Sequence, residues 1–420
     1  HVPKAENQTQ RIATDNEATV HSSRLSIGIA TPWPPQRSGV ADFSQAVFTE
    51  LASIADITIY TTSDALVTSD PTISLRSIAE VFDDPQSVSQ SHDAFISVVG
   101  NSHYHLLPVQ LLQYLDAITI AHDTRMVEFY TALRGKAGAE RVMDIVPIGT
   151  PRPVTELSLD EQIDDMRLLT NAGFWEVANR SRQLILHSPS AAPTIAKQTG
   201  RPVRVLPFAN YRAPDAPTIT DQERIVAGQR LGLDAYPPGT IHLGSFGYVD
   251  VRTKMTDIVV ESAAWLAQWG HPVALHLIGS ANPELETKLR EQAQRAGLEH
   301  FQITGYVTDE RYRDWVLAID LGVQLRISPL LGVSGPLSDF AAYGTPAVAS
   351  AGLCIDVDTP AFIHRLPDAV SPVMVAEAIE QALNGPTEPA AREQQRLAYL
   401  EEKSPRRYAQ LLLAIIQETQ

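Results

Sequence analysis

The stretch Asp320–Ser350, DLGVQLRISPLLGVSGPLSDFAAYGTPAVAS, decides the fold. Its first apolar run, Leu321 to Leu325, reads as a short strand. The small-residue turn Gly332-Val333-Ser334-Gly335 follows and opens a helix predicted over Pro336–Tyr343. Gly344 stops that helix, and Pro346–Ser350 reads as the next strand. Strand, glycine-rich turn, helix and strand in this order is the repeating unit of a parallel sheet. The start of such a helix offers unpaired N–H groups and partial positive charge, which suit a phosphate.

The same alternation extends on both sides. Leu25–Ala30, Ile57–Tyr60, Ala94–Val99, Ala117–Ala121, Leu184–His187 and Val203–Pro207 read as strands. A helix with Val40, Phe43, Val47 and Leu51 on one face follows the first of them. A polar, Pro-rich region, Tyr211–Pro238, carries one amphipathic helix and marks a domain boundary. A second series then runs through Ile241–Phe246, Val273–Ile278 and Phe301–Ile303, with helices at Asp257–Gln268, Pro283–Ala296 and Glu310–Ala318. Glu156–Arg182 breaks the rhythm and reads as a helical insertion near the cleft. The last helices are predicted from about Pro389 to Ile416.

With 420 residues, two domains of similar size are expected. A formal net charge of −16 argues against nucleic acid as the main partner. The one cysteine, Cys354, allows no intrachain disulfide and reads as a buried thiol. No run approaches the ~18 apolar residues of a membrane span. His1–Ser23 has the polar composition of a flexible tail, and the chain opens without an initiator Met, as a processed chain would.

Four clusters fall at the carboxyl ends of strands, where doubly wound sheets carry their sites. Ser38-Gly39-Val40-Ala41-Asp42 reads either as a helix cap or as a close backbone approach to a ligand. Gly100-Asn101-Ser102-His103 follows the strand ending at Val99. His122-Asp123 follows the strand ending at Ala121, as a structural pair or as a substrate contact. Arg252 and Lys254 follow Gly247, either as solvated loop charges or as cations facing the Gly335 turn. With Arg326 and the helix N-terminus they would neutralise a diphosphate leaving group without a metal. Asp339, one turn into the Pro336 helix, is placed to accept both hydroxyls of a ribose. Asp356-Val357-Asp358 has the look of a metal-binding acidic pair but lies among turn residues, and no metal is expected. Neither GSFG at Gly244–Gly247 nor TPWPPQRSG at Thr31–Gly39 is a dinucleotide fingerprint.

Taken in order, these residues resemble glycosyltransferase family four, the retaining GT-B enzymes, from Leu25 to about Ala382. SGVADFS (Ser38–Ser44), GNSHYH (Gly100–His105) and His122-Asp123 are similar to a bacterial polysaccharide subgroup. HSPS (His187–Ser190), LPFAN (Leu206–Asn210), GSFGYV, Lys254 and Leu325-Arg326 continue the order. The resemblance is weakest over Asp123–Gln183. It departs where the family has two acids around the opening helix. The second falls on Asp339, and the first falls on Leu331 or Gly332, which are not acidic. Met255 stands where the subgroup often has a second cation.

The resemblance implies an α/β chain with the GT-B fold, two doubly wound Rossmann-like domains with a cleft between them. The expected divisions are a tail at 1–23, an acceptor-side domain at 24–214, a nucleotide-sugar domain at 215–397, and a helix at 398–420 packing back on the first domain. It implies transfer of a sugar from a nucleoside-diphosphate sugar, with His122, Arg252 and Lys254 catalytic. Gly247, Arg326, Gly332, Ser334, Gly335 and Asp339 would hold the donor; Ser38, Gly39, Asp42, Asn101, His103 and Asp123 would form the acceptor side. The donor is a substrate and no cofactor is expected. The acceptor is left open among a glycan, glycolipid, protein or small molecule. The implied location is the cytoplasm, with peripheral contact at the inner face of the plasma membrane left open, as is the oligomeric state. A scaffold that binds nucleotide without transfer, and a sugar-nucleotide epimerase, are the competing readings.

Overall fold

LSIGIA forms β1 (Ser26–Ala30), and every residue of it from Ile27 to Ala30 except Gly28 is fully buried apolar surface. In the computed structural model, which describes residues 24–66, 71–143, 173–213, 218–327 and 332–419, β1 lies inside a seven-stranded parallel sheet. Its other strands are β2 (Asp56–Thr61), β3 (Ser74–Ser77), β4 (Ala94–Val99), β5 (Ile118–Ala121), β6 (Gln183–Leu186) and β7 (Val203–Val205). The order is β3-β2-β1-β4-β5-β6-β7. The winding direction reverses between β1 and β4, which opens a crevice at their carboxyl ends. AFISVV in β4 is buried at all six positions, as a strand covered on both faces must be. One face packs under Tyr60, Phe129 and Tyr130; the other packs under Phe43, Val47 and Phe48.

The second sheet has six parallel strands: β8 (Ile241–Phe246), β9 (Val273–Ile278), β10 (His300–Ile303), β11 (Leu321–Gln324), β12 (Ala347–Ser350) and β13 (Ile363–Leu366). Its order, β10-β9-β8-β11-β12-β13, reverses between β8 and β11. The stretch quoted at the outset therefore supplies a strand at the switch point and the helix that follows it, Gly335–Tyr343. Gly322 in β11 lets that helix sit close: a Cβ there would meet the Phe340 ring at 2.3 Å.

Two strands and several helices depart from the sequence reading. β3, β13 and the helix Ala351–Val357 were not anticipated. The two strands are four residues long and at least half polar, so their apolar pattern is weak. Asp356 and Asp358 consequently lie at the end of a helix and not in a loop, with Asp358 in the left-handed conformation that ends it (φ 57°). The final helix, Pro405–Thr419, returns to the first sheet and buries Tyr408, Ala409, Leu412 and Ile416 in its core. Of the expected insertion, the described part contains the helix Trp175–Arg180, with Phe174 and Val177 in the first domain's core. Its remainder, the N-terminal tail and Leu331 lie outside the described residues. Cys354 is buried. Among the described residues, no helix is long and apolar enough to cross a membrane.

The helix Asp221–Leu231, where the boundary region was read, carries a side chain that ties two other helices together. Arg224 donates to the carbonyls of Leu317 (3.1 Å) and Tyr343 (2.6 Å). These are terminal carbonyls of the helices Asp309–Ala318 and Gly335–Tyr343, which have no partner within their own helices. Arg224→Ala is expected to cost about 2 kcal/mol in urea unfolding. An unchanged midpoint would show that water serves those carbonyls equally well.

Candidate functional site

The carboxyl ends of the two sheets face each other across a cleft with two adjoining cavities. The smaller, about 300 Å³, is lined from the first domain by Phe43, Asn101, His122 and Asp123 and from the second by Val333 and Gly335. The larger, about 800 Å³, is lined by Arg37, Asp42 and Arg212 on one side and by Gly247, Gly279 and Tyr306 on the other. Ser38 and Gly39 border both cavities.

On the first domain, both readings of the Ser38 cluster hold at once. The Ser38 hydroxyl accepts from the Val40 N–H (3.2 Å), capping the helix Gly39–Ala52, while the turn itself borders the cleft. Asp42 stands in the first turn of that helix. Burial raises its carboxyl pKa, Arg212 opposes the rise, and Asp309 from the other domain adds to it.

The loop after β4 is braced by Asn101, whose side-chain carbonyl accepts from Phe129 N (3.0 Å) and whose amide donates to Glu128. His103 is exposed and lies against Tyr104, whereas His105 lines the smaller cavity. The residues sit two apart in a 3₁₀ turn, so only one of them turns inward. His105 donates through Nδ1 to the Val98 carbonyl (3.1 Å), and burial lowers its pKa to about 4.

His122 packs against Phe43 (4.8 Å between ring centres) and His187 (4.7 Å). Burial, then the neighbouring His187, pushes its pKa well below the usual value, so it is neutral at pH 7. Its Nε2 is buried without a hydrogen-bond partner among the described residues. Asp123 accepts from the Asn101 N–H (3.2 Å).

On the second domain, Lys254 turns in under the loop after β8. Its ammonium lies where a side chain on Gly247 would stand, 2.6 Å from the ideal Cβ. Burial, then Arg326, lowers its pKa to about 8, against a smaller opposing effect of Asp250. Arg326 donates to the Gly332 carbonyl (3.2 Å), and its own N–H donates to Ser350 (2.9 Å). Ser334 caps the Gly335–Tyr343 helix through the Leu337 N–H (3.3 Å), leaving Gly335 on the cavity wall. Arg252 is exposed, and its N–H donates to Asp250. Met255 is buried in the second domain's core, so it is no substitute for a cation.

Asp339 departs from the expectation of an open ribose acceptor. It is 2% exposed, and its carboxylate accepts from the Tyr312 hydroxyl (2.7 Å), Asn210 (3.2 Å) and Arg212 (3.4 Å). Asn210 and Arg212 come from the segment joining the domains, which no local pattern linked to this helix. The Arg212 guanidinium lies over the rings of Tyr211 (4.7 Å) and Tyr312 (5.3 Å). Asp356 likewise joins the domains, accepting from the Ser190 N–H (3.0 Å) and hydroxyl (2.5 Å). Sequence reading missed these hinge contacts, although LPFAN and HSPS had been singled out beside them.

No protein-family model matches the chain, and no curated protein matches it in sequence. Solved structures do match in shape. HepE from Anabaena, in complex with UDP and glucose, aligns over 94% of this chain and 100% of its own, with a TM-score of 0.61 at 13% identity. The fold is GT-B. WaaG, a glycosyltransferase involved in lipopolysaccharide biosynthesis, aligns over 93% of this chain and 98% of its own, with a TM-score of 0.55 at 15% identity. Sucrose-phosphate synthase from Thermosynechococcus elongatus covers 94% and 99%, with a TM-score of 0.59 at 12% identity. These solved structures share the chain's fold over nearly their whole length.

Proposed function

We propose that the chain is a retaining glycosyltransferase that takes its sugar from a nucleoside diphosphate. The observation that carries this is Lys254, a buried ammonium beside Arg326, with no ion pair or hydrogen bond among the described residues. Two desolvated cations next to a helix N-terminus form a site for a multiply charged anion. In this reading the diphosphate lies between Lys254, Arg326 and Gly335, the nucleoside extends into the larger cavity, and the sugar occupies the smaller one. UDP and UDP-glucose binding by HepE supports that class of donor.

The bond from the sugar's anomeric carbon to the diphosphate breaks as a bond to the acceptor hydroxyl forms on the same face. The acceptor proton passes to the departing phosphate oxygen. Lys254 and Arg326 stabilise the charge developing there, with no metal required. Neutral His122 holds the sugar, and closure of the cleft excludes water. Surface polysaccharide or glycoconjugate synthesis at the cytoplasmic side of a membrane is the setting this reading favours.

Asp339 favours a second reading, a scaffold that binds nucleotide without transfer, because its carboxylate is already engaged by three partners. Incubation with UDP-, GDP- and dTDP-sugars, with and without acceptors, separates the two. Nucleoside diphosphate release from one donor is expected for the transferase. Tight nucleotide binding with no turnover for any donor and acceptor would establish the scaffold instead.

A further inference from the structure

The smaller cavity is built unevenly. Its polar side chains, Asn101, His122 and Asp123 among them, all come from the first domain, and the second domain contributes Val333 and Gly335. Asp123 is the one carboxylate on its described wall. That carboxylate stands at the seam between the domains. A Cβ on Gly332 would meet Asp123 Oδ1 at 2.5 Å and the His122 carbonyl at 3.2 Å. Gly332 also has φ 83°, a conformation that favours glycine. A side chain at 332 is thus excluded both by its backbone and by the carboxylate arriving from the other domain. The carbonyl of the same glycine holds Arg326, the cation on the donor side. Asp123 therefore packs on the glycine that holds Arg326, although its chain position is in the acceptor-side domain.

We propose that Asp123 is the carboxylate that binds the donor's sugar, accepting hydrogen bonds from hydroxyls of a single pyranose unit. One carboxylate oxygen already accepts from Asn101 N–H, which fixes the group's orientation, and the lone pairs that remain can accept from the hydroxyls of a diol. The buried, unpartnered Nε2 of His122 lies on the same wall and supplies a second polar contact. Val333 and Phe43 face the less polar surface of the ring. The cavity has room for one such unit, so the class of ligand is a nucleoside diphosphate carrying a single hexose.

This inference rests on the transferase reading, and the experiment keeps the two apart. Isothermal titration would compare wild type and Asp123→Asn, with UDP, GDP and dTDP alone and with their hexose conjugates. The asparagine keeps an oxygen for Asn101 N–H and removes the charge. The expected result is diphosphate affinity within about twofold of wild type and hexose-conjugate affinity lowered about tenfold. Equal loss for both ligands, or no loss for either, would overturn the assignment while leaving donor binding intact. If wild type binds no diphosphate and no conjugate, the transferase reading falls and takes this one with it. Should Asp123→Asn not fold, Asp123→Ser carries the same comparison.

Discussion

Lys254→Ala is expected to weaken nucleoside-diphosphate binding about 100-fold, or about 3 kcal/mol. The side chain is desolvated, and among the described residues Asp250 offsets its charge only in part, so a diphosphate receives most of it. The pH dependence follows from the same cause. Burial, then Arg326, brings the Lys254 pKa down to about 8, and the protonated form is the one that attracts the anion. Affinity should hold at pH 7 and decline by up to about tenfold per pH unit above about 8, until the pKa of the bound state is reached. Calorimetric titration from pH 7 to pH 9.5 measures this, and the Lys254→Ala variant should lack the decline. Unchanged affinity in the variant would remove Lys254 from the donor site.

Acid is expected to destabilise the fold through three buried histidines. Burial lowers the pKa of His105 and His187 to about 4 and that of His276 to about 3. All three are essentially inaccessible to solvent. Each is neutral in the folded state and takes a proton near pH 6.5 when unfolded. Their stability contribution is therefore full above about pH 6.5 and is lost progressively as pH falls towards the folded values. At pH 5 the loss is about 2 kcal/mol for each, or about 6 kcal/mol together. His105 and His187 belong to the first domain and His276 to the second, so the first domain's transition should move further.

Buried carboxylates raised by desolvation, Asp123 and Asp339 among them, act in the opposite sense. Single His→Gln variants isolate the histidine share. Urea unfolding at pH 7.5 and pH 5.0 should show each variant losing about 2 kcal/mol less than wild type between the two. Equal losses in variant and wild type would show that burial does not hold these rings neutral.

The alternation of strands and helices was legible because central strands of parallel sheets are buried on both faces. AFISVV and VALHLI stand out from any flanking sequence. Helix Gly39–Ala52 was read within one residue at each end, from the spacing of Val40, Phe43, Val47 and Leu51. Edge elements were not legible in the same way. β3 and β13 bury only part of their surface, so SLRS and IHRL lack the signal. In the candidate site, Gly39, Asn101, His122, Asp123 and Gly335 were each read from strand ends or helix starts, and they line one cavity. His103 was chosen over His105 because local sequence does not say which side of a short turn is covered.

Apolar runs and glycine-marked turns by themselves determined the strands of two parallel sheets and the glycine-rich turns at their carboxyl ends. Those features depend on interactions between near neighbours in the chain: strand burial, helix capping and the φ values glycine permits. Tertiary structure alone decided what the remaining charges do. Asp339 is spent on Asn210, Arg212 and Tyr312, Lys254 turns in beside Gly247 and Arg326, and Asp123 meets Gly332 across the domains. Each outcome turns on groups far apart in sequence. Only the packing of the two domains sets their separations and removes the water that would otherwise screen them.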